Sequence, residues 1–319
     1  MRLVLAICAL SCALVFAGSA FADSSATDPT AIQEAQNSQF ANLLGQSSYK
    51  DLPVETPKPA QSTGTLKLTG IVATGAFKNL TDPIQWTVVR VANGGIPQAI
   101  LARDKKPEAT FKLPPGKYVV EGIWKAIVVQ RDIEVPEGKP VKLVFNYNAG
   151  TVSMKMIPYT GGAPIATAVQ WELYILRKGA GSNLQESDRL FLVVAPTQQF
   201  SLPEGSYVVR ASYGGTSADL VMPIQAGSVY KYTINLYSAK VTFNAPNTDQ
   251  STSWQILRAK PDADGNRRMV ASQTGAAPTF LLREGKYVVR VSNGKATAEQ
   301  PFEVRAAKNS TVKVKLAAK

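Results

Sequence analysis

Two Ser-x-x-Lys steps, Ser47–Lys50 and Ser292–Lys295, place a hydroxyl three residues ahead of an amine. That spacing lets a lysine activate a serine nucleophile when the pair opens a helix. Neither step has that setting, since Ser47 lies in a polar stretch and Ser292 beside the turn-forming Asn293-Gly294. Asp262, Asp264 and Asn266 put three oxygen side chains at alternate positions, as in a calcium loop. Here Arg267 stands where such a loop needs glycine and Gln273 where it needs its closing glutamate, while Lys260, Arg267 and Arg268 repel a cation. A turn between strands accounts for Asp-Gly-Asn directly. The remaining chemistry is that of cations. Lys313 and Lys315 alternate near the end of the chain, with Lys308 and Lys319 close by, and Arg258, Arg267, Arg268, Arg283, Arg290 and Arg305 precede them. Such a surface attracts anions in a salt-dependent way. Lysines on a terminal strand also serve to discourage edge-to-edge pairing. Trp124-Lys125 is a further candidate, a large aromatic beside a cation at a hairpin, read either as an exposed contact or as cross-strand packing.

Composition removes most other chemistry. The chain of 319 residues has no histidine, and its two cysteines, Cys8 and Cys12, both fall in the first 22 residues. Those residues combine Arg2, an apolar run from Leu3 to Ala17, and Ala20-Phe21-Ala22, the form of a secretory signal peptide cleaved before Asp23. The run is short of the roughly 20 residues that a spanning helix needs. The expected mature chain therefore lacks thiolates, a side chain titrating near neutrality, and the usual zinc and copper ligands. Its modules must be held by core burial rather than by disulfides. Acids are scattered rather than paired, which argues against a glycosidase-type hydrolase. Net charge is uneven: −3 over residues 23–63, +5 over 64–149, +1 over 150–239 and +8 over 240–319. The basic last segment suits an anionic glycan or a lipid headgroup. It has no aromatic-interleaved basic motif of the kind that binds nucleic acid specifically.

The elements that would position these residues repeat. Phe111-Lys-Leu113-Pro-Pro-Gly116-Lys-Tyr118-Val-Val120 recurs as Phe200-Ser-Leu202-Pro-Glu-Gly205-Ser-Tyr207-Val-Val209 and as Phe280-Leu-Leu282-Arg-Glu-Gly285-Lys-Tyr287-Val-Val289. A strand holding Trp86, Trp171 or Trp254 precedes each copy, and strands of alternating pattern open and close each unit. About seven strands per unit are expected. Alternation puts the Phe, Leu, Tyr and second Val on one face, with the glycine in the turn and the Trp in the core. Later turns at Gly138 and Gly227 align with Ala307. The boundaries expected are a signal peptide at 1–22, a flexible lead at 23–63 with a short helix near 30–44, and modules at 64–149, 150–239 and 240–319. Joints as short as Tyr147-Asn-Ala-Gly150 favour a semi-rigid rod.

The signature's Tyr, two residues after a turn glycine, resembles the tyrosine corner of immunoglobulin-like sandwiches, whose hydroxyl bonds a nearby backbone group. Leu-Pro-Pro-Gly-Lys-Tyr-Val-Val is also similar to transthyretin-like exported repeats, including carboxypeptidase regulatory-like, Cna-B and PEGA modules. A looser similarity is to repeats beside von Willebrand A domains in alphaproteobacterial envelope proteins. The resemblance runs from about residue 65 to 319. It implies an all-β chain of three tandem antiparallel β-sandwich modules, immunoglobulin-like or transthyretin-like. For Cna-B-type modules it implies a possible Lys–Asn isopeptide bond, here Lys67 with Asn146 assisted by Glu121. Glu121, however, follows its Tyr by three residues where the family pattern has four. The function expected is a non-enzymatic, periplasmic structural or interaction protein of the cell envelope, without cofactor or metal. It would bind a protein partner through loops or edge strands. The alternative is anionic glycan or lipid-headgroup binding centred on the third module. The residues singled out for contact are Trp124, Lys125, Arg267, Arg268, Lys313 and Lys315.

Overall fold

The computed structural model describes residues 46–55, 63–92, 95–176, 184–294 and 296–316. The expected signal peptide, the helix near 30–44, Lys295 and Lys319 lie outside the described residues. The first seven strands are β1 (Gly64–Ile71), β2 (Ile84–Val91), β3 (Pro97–Lys106), β4 (Ala109–Leu113), β5 (Gly116–Trp124), β6 (Ile127–Val135) and β7 (Pro140–Asn146). The second seven are β8 (Ala149–Ile157), β9 (Val169–Ile175), β10 (Arg189–Ala195), β11 (Thr197–Pro203), β12 (Gly205–Tyr213), β13 (Thr216–Ile224) and β14 (Val229–Asn235). The third are β15 (Ser238–Asn244), β16 (Ser253–Arg258), β17 (Met269–Thr274), β18 (Thr279–Arg283), β19 (Gly285–Ser292), β20 (Thr297–Val304) and β21 (Ser310–Lys313). The single helical element among the described residues is a 3₁₀ turn at Glu186–Asp188.

Each set of seven folds into the same two sheets. In the first, β4-β1-β7 faces β3-β2-β5-β6, and the later sets repeat this order as β11-β8-β14 with β10-β9-β12-β13 and β18-β15-β21 with β17-β16-β19-β20. One amendment to the antiparallel expectation follows. β1 pairs with β7 in parallel, as do β8 with β14 and β15 with β21. Hydrophobic alternation has period two whichever way a neighbour runs, so direction is invisible to it. The immunoglobulin arrangement sets the first strand in a sheet with the second and fifth. Here the first strand lies between the fourth and seventh.

The inner faces meet as the alternation demands. Leu66, Leu68, Phe111 and Leu113 from one sheet pack with Trp86, Val88, Tyr118 and Val120 from the other. The equivalent residues form the cores around Trp171 and Trp254. All three Trp side chains are fully buried, and their indole N–H groups still find partners. They donate to the carbonyls of Lys106, Ala195 and Gly275 at 2.9, 2.9 and 2.8 Å. Each bond ties β2, β9 or β16 to the end of the neighbouring edge strand or the turn after it. The signature tyrosines behave as expected: the hydroxyls of Tyr118, Tyr207 and Tyr287 donate to the carbonyls of Pro114, Pro203 and Arg283, four residues back, at 2.6, 3.0 and 2.8 Å. Ala307 takes the left-handed backbone, φ 65°, that Gly138 and Gly227 take at 66° and 79°.

The junctions between modules are built twice in the same way. Asn148 and Tyr237 adopt left-handed backbone, φ 45° and 49°, a conformation costing a non-glycine residue roughly 1–2 kcal/mol. The side chains of Asn146 and Asn235 hold them there. Their Oδ1 atoms accept the N–H of Asn148 and Tyr237 at 3.0 and 2.8 Å, and their Nδ2 groups donate to the Thr74 and Thr160 hydroxyls at 2.8 Å. On the other side, the carbonyls of Asn148 and Tyr237 accept the N–H of Glu204 and Glu284, in the next module's signature turn, at 2.8 and 2.7 Å. Each joint residue is thus bonded to both of the modules it connects.

Tyr147, beside the first joint, is buried, and desolvation pushes its phenol well above the ordinary 10.0. Burial likewise raises Tyr118, Tyr207 and Tyr287. A phenol raised on folding contributes its full stability below the unfolded value near 10 and loses it as pH climbs toward the folded value. Stability should therefore fall steeply above pH 10.0. Tyr147→Phe should flatten that fall in chemical denaturation measured across pH 9–12, about the alkaline flank of the phenol range. An unchanged alkaline slope in the variant would contradict this.

Candidate interaction surfaces

Trp124, singled out for contact with cross-strand packing as its other reading, takes the second: it is only 3 % exposed and belongs to the first module's core. Its ring lies 5.5 Å from that of Tyr147. Gly122 leaves room for Trp86 and Tyr147: an added Cβ would stand 2.7 Å from Trp86 Cζ3 and 2.7 Å from the Tyr147 hydroxyl. Ala211 and Val291 stand opposite Trp171 and Trp254 in the other modules, as Gly122 stands opposite Trp86. Lys125 is the residue of this pair that meets solvent. It takes φ 54° at the hairpin tip, lies 4.8 Å above the Trp124 ring and pairs with Asp82 at 3.3 Å.

The basic residues of the third module separate. Arg267 is shared with Glu299 (3.6 Å), which also holds Arg290 (2.7 Å). Lys313, on β21, and Lys315, just beyond it, are exposed. Arg268 instead lines a polar cleft of about 440 Å³ between the second and third modules, with Arg258, Arg283 and Met269. The Arg258 guanidinium lies 5.3 Å over the Tyr287 ring and donates to its hydroxyl at 3.4 Å. Arg283 lies 6.0 Å over Tyr237, the joint residue. Both cations pull the Tyr287 phenol downward against the larger upward push of burial.

The lead was expected to be flexible, and for residues 46–55 this is corrected. This segment lies on the outer face of β3-β2-β5-β6. The Ser48 N–H donates to Glu121 Oε2 at 3.1 Å, and Gln130 donates to the same carboxylate at 2.9 Å and to the Ser48 hydroxyl at 3.0 Å. Further along, Val54 forms a parallel bridge to Ile100. Ile100 donates its N–H to the Pro53 carbonyl and accepts the Glu55 N–H, both at 2.9 Å, while the Glu55 carboxylate pairs with Arg90 at 2.5 Å. Glu121 is fully buried as a result. Arg210 and Arg290 stand at its position in the other modules, where they pair across the strand with Asp219 (2.9 Å) and Glu299. β5 is accordingly buried on both faces from Tyr118 to Trp124.

Two other sites resolve as turns or separate positions. Asp262 accepts the N–H of Asp264 and Asn266 on Oδ1, at 3.1 and 2.8 Å, so its carboxylate closes a turn. Lys67 is exposed on β1, Asn146 serves the joint, and Glu121 lies in the other sheet. The isopeptide constellation is not assembled. Ser47 accepts the Tyr49 N–H within the docked lead, without a helix around it.

Three seven-strand sandwiches in series, with bonded joints and open sheet edges, define a tandem β-sandwich repeat protein. Residues 247–316 match the Rhizobiales growth-associated tandem repeat domain. Among solved structures, the Bacillus anthracis TIE protein is similar at 16% identity, over 81% of this chain and 51% of its own, with a TM-score of 0.25. The chain thus spans about half the length of that protein. A streptococcal ancillary pilin is 12% identical over 81% of this chain and 100% of its own, with a TM-score of 0.31. The minor pilin GBS52 of Streptococcus agalactiae is 14% identical over 54% and 94%, with a TM-score of 0.30. No curated protein matches the chain. Among the described residues no helix is long and apolar enough to cross a membrane.

Proposed function

We propose that the chain is an exported, non-enzymatic structural and interaction protein of the cell envelope, residing in the periplasm. Its units are modules 64–149, 150–239 and 240–319, held as a semi-rigid rod that presents loops and edge strands to a protein partner. The observation that carries this reading is the doubled joint. A left-handed residue clasped by the Asn and Thr of one module and the signature turn of the next spaces its neighbours without a free linker. The docked lead supports the mode of binding, since an extended segment is seated on a sheet edge within the chain itself.

The test is co-sedimentation of the full chain with isolated envelopes, untreated or protease-treated. Pelleting is expected to vanish after protease treatment and to survive about 0.5 M salt, at which exposed charges are screened within about 4 Å. Pelleting that resists protease and is released by salt would replace this reading with that of an anionic glycan or lipid-headgroup binder.

A further inference from the structure

Pairing aligns one position on all three four-stranded sheets. Four residues after the core Trp stand Arg90, Ile175 and Arg258, opposite Tyr118, Tyr207 and Tyr287. Beside them, each edge strand carries a bulge at the same point. It skips one residue and brings Ile100, Arg189 and Met269 opposite Val89, Tyr174 and Leu257. In the first module this place is a filled seat. Ile100 exchanges two backbone hydrogen bonds with the lead, and Arg90 takes the carboxylate of Glu55. The second module has lost it, because Ile175 replaces the cation and Arg189 is paired with Glu186. The third module keeps both parts. Arg258 stands for Arg90 and Met269 for Ile100, on an edge strand that pairs with no further strand among the described residues.

The seat in the third module also carries more charge. Arg268 and Arg283 join Arg258 and Met269 in lining the cleft between the second and third modules. Met269 is 54% exposed there. Among the described residues no carboxylate lies within ion-pair distance of any of these three arginines. Asp219, also on the wall, is held by two hydrogen bonds of 2.9 Å from Arg210. Three guanidinium groups gathered in one cleft repel one another, and a carboxylate entering it would be bound by charge-assisted hydrogen bonds. Stacking on Tyr287 and Tyr237 holds two of them in place before anything binds.

We propose that this cleft receives an extended acidic segment of a partner protein, added as a short strand at Met269 with its carboxylate on Arg258, Arg268 and Arg283. The proposal rests on the protein-partner reading above and names the chemistry of that partner. The model for the contact is the chain's own Pro53-Val54-Glu55, in which the carboxylate follows the bridging residue by one position.

The probe is a fluorescent peptide of residues 46–55, Gln-Ser-Ser-Tyr-Lys-Asp-Leu-Pro-Val-Glu, titrated into the full chain and followed by polarisation. Saturable binding is expected, weakened at least about tenfold by Arg258→Glu, the loss anticipated for a charge-assisted contact. Met269→Pro should weaken it comparably by removing the edge N–H, at a place where proline is sterically admissible. Glu55→Lys in the peptide should do the same without touching the protein's fold. Lys142→Glu, at an exposed cation of the first module outside either seat, should leave the affinity unchanged. Binding that depends on Arg90 but not on Arg258, or that tolerates Glu55→Lys, overturns the proposal. So does a chain that ignores the peptide yet binds heparin equally well with and without Met269→Pro, which would assign the cleft to anionic polysaccharide. Envelope pelleting that is protease-sensitive, together with no peptide binding, would refute this cleft and leave the wider reading standing.

Discussion

Gly122→Val is expected to destabilise the first module by about 3 kcal/mol, the upper part of the usual range for overpacking a core. The contacts are specific. The new Cβ would meet Trp86 Cζ3 and the Tyr147 hydroxyl at 2.7 Å each, and Trp86 Cε3 at 3.1 Å, and both neighbours are large, ringed and buried. The third module carries valine at this position, Val291, in a core where Leu316 stands in place of Tyr147. Tyr147→Leu should therefore recover part of the loss, so that the double variant is less damaged than the two single costs added. A coupling of roughly 1 kcal/mol or more is expected for residues in such contact. Hydrogen exchange of peptides from β2 and β5 reads the effect within the first module, and strictly additive costs would show that Gly122 is not there to make room.

Trp171→Ala should cost the second module about 4 kcal/mol, as full truncation of a buried Trp does. A unit of this size holds roughly 5–12 kcal/mol in total, so the second module would be close to unfolding while its neighbours remained native. Part of the cost is the Ala195 carbonyl, which loses the indole N–H that reaches it at 2.9 Å. Trp171→Phe separates the contributions: it retains most of the ring and forfeits that hydrogen bond, with an expected cost of about 1–2 kcal/mol. Urea unfolding of both variants, monitored by exchange in β9 and β12, provides the comparison. Equal losses in the two would mean that the hydrogen bond, not the packing, is what Trp171 supplies.

Much of the architecture was legible because repetition multiplies weak signals. Each Phe-x-Leu…Gly-x-Tyr-Val-Val copy alone is a turn between two alternating strands. Three copies in phase with three Trp strands define a unit of seven strands, and the tyrosine hydroxyl bonds follow from the turn. Sheet order was not legible, since nothing in Val141-Lys-Leu143 or Leu66-Lys-Leu68 records that these strands run the same way. Trp124 stayed open between surface and core because an aromatic unique to one module suggests a surface role. The ring it packs against, Tyr147, lies across the core. The docked lead was hidden because Ser47 to Glu55 is polar and contains proline, and its partners lie on four different strands. The cleft arginines were visible only as general basicity. Arg258 stands apart from Lys313 or Arg305 once Trp86 and Trp254 are aligned, because Arg90 then shows what a cation at that place does.

The parallel pairing of first and last strands has a mechanical side. A pull on the two ends of the chain enters each module at the start of β1, β8 or β15 and leaves past the end of β7, β14 or β21. Because those strands lie side by side and point the same way, tension slides one along the other and loads their whole ladder at once, instead of peeling it bond by bond. The ladders are not equal. Seven residue pairs join β1 to β7 and seven join β8 to β14, but only four join β15 to β21. Under stretching, the third module is the fuse of the series: it shears first and lengthens while the other two still hold.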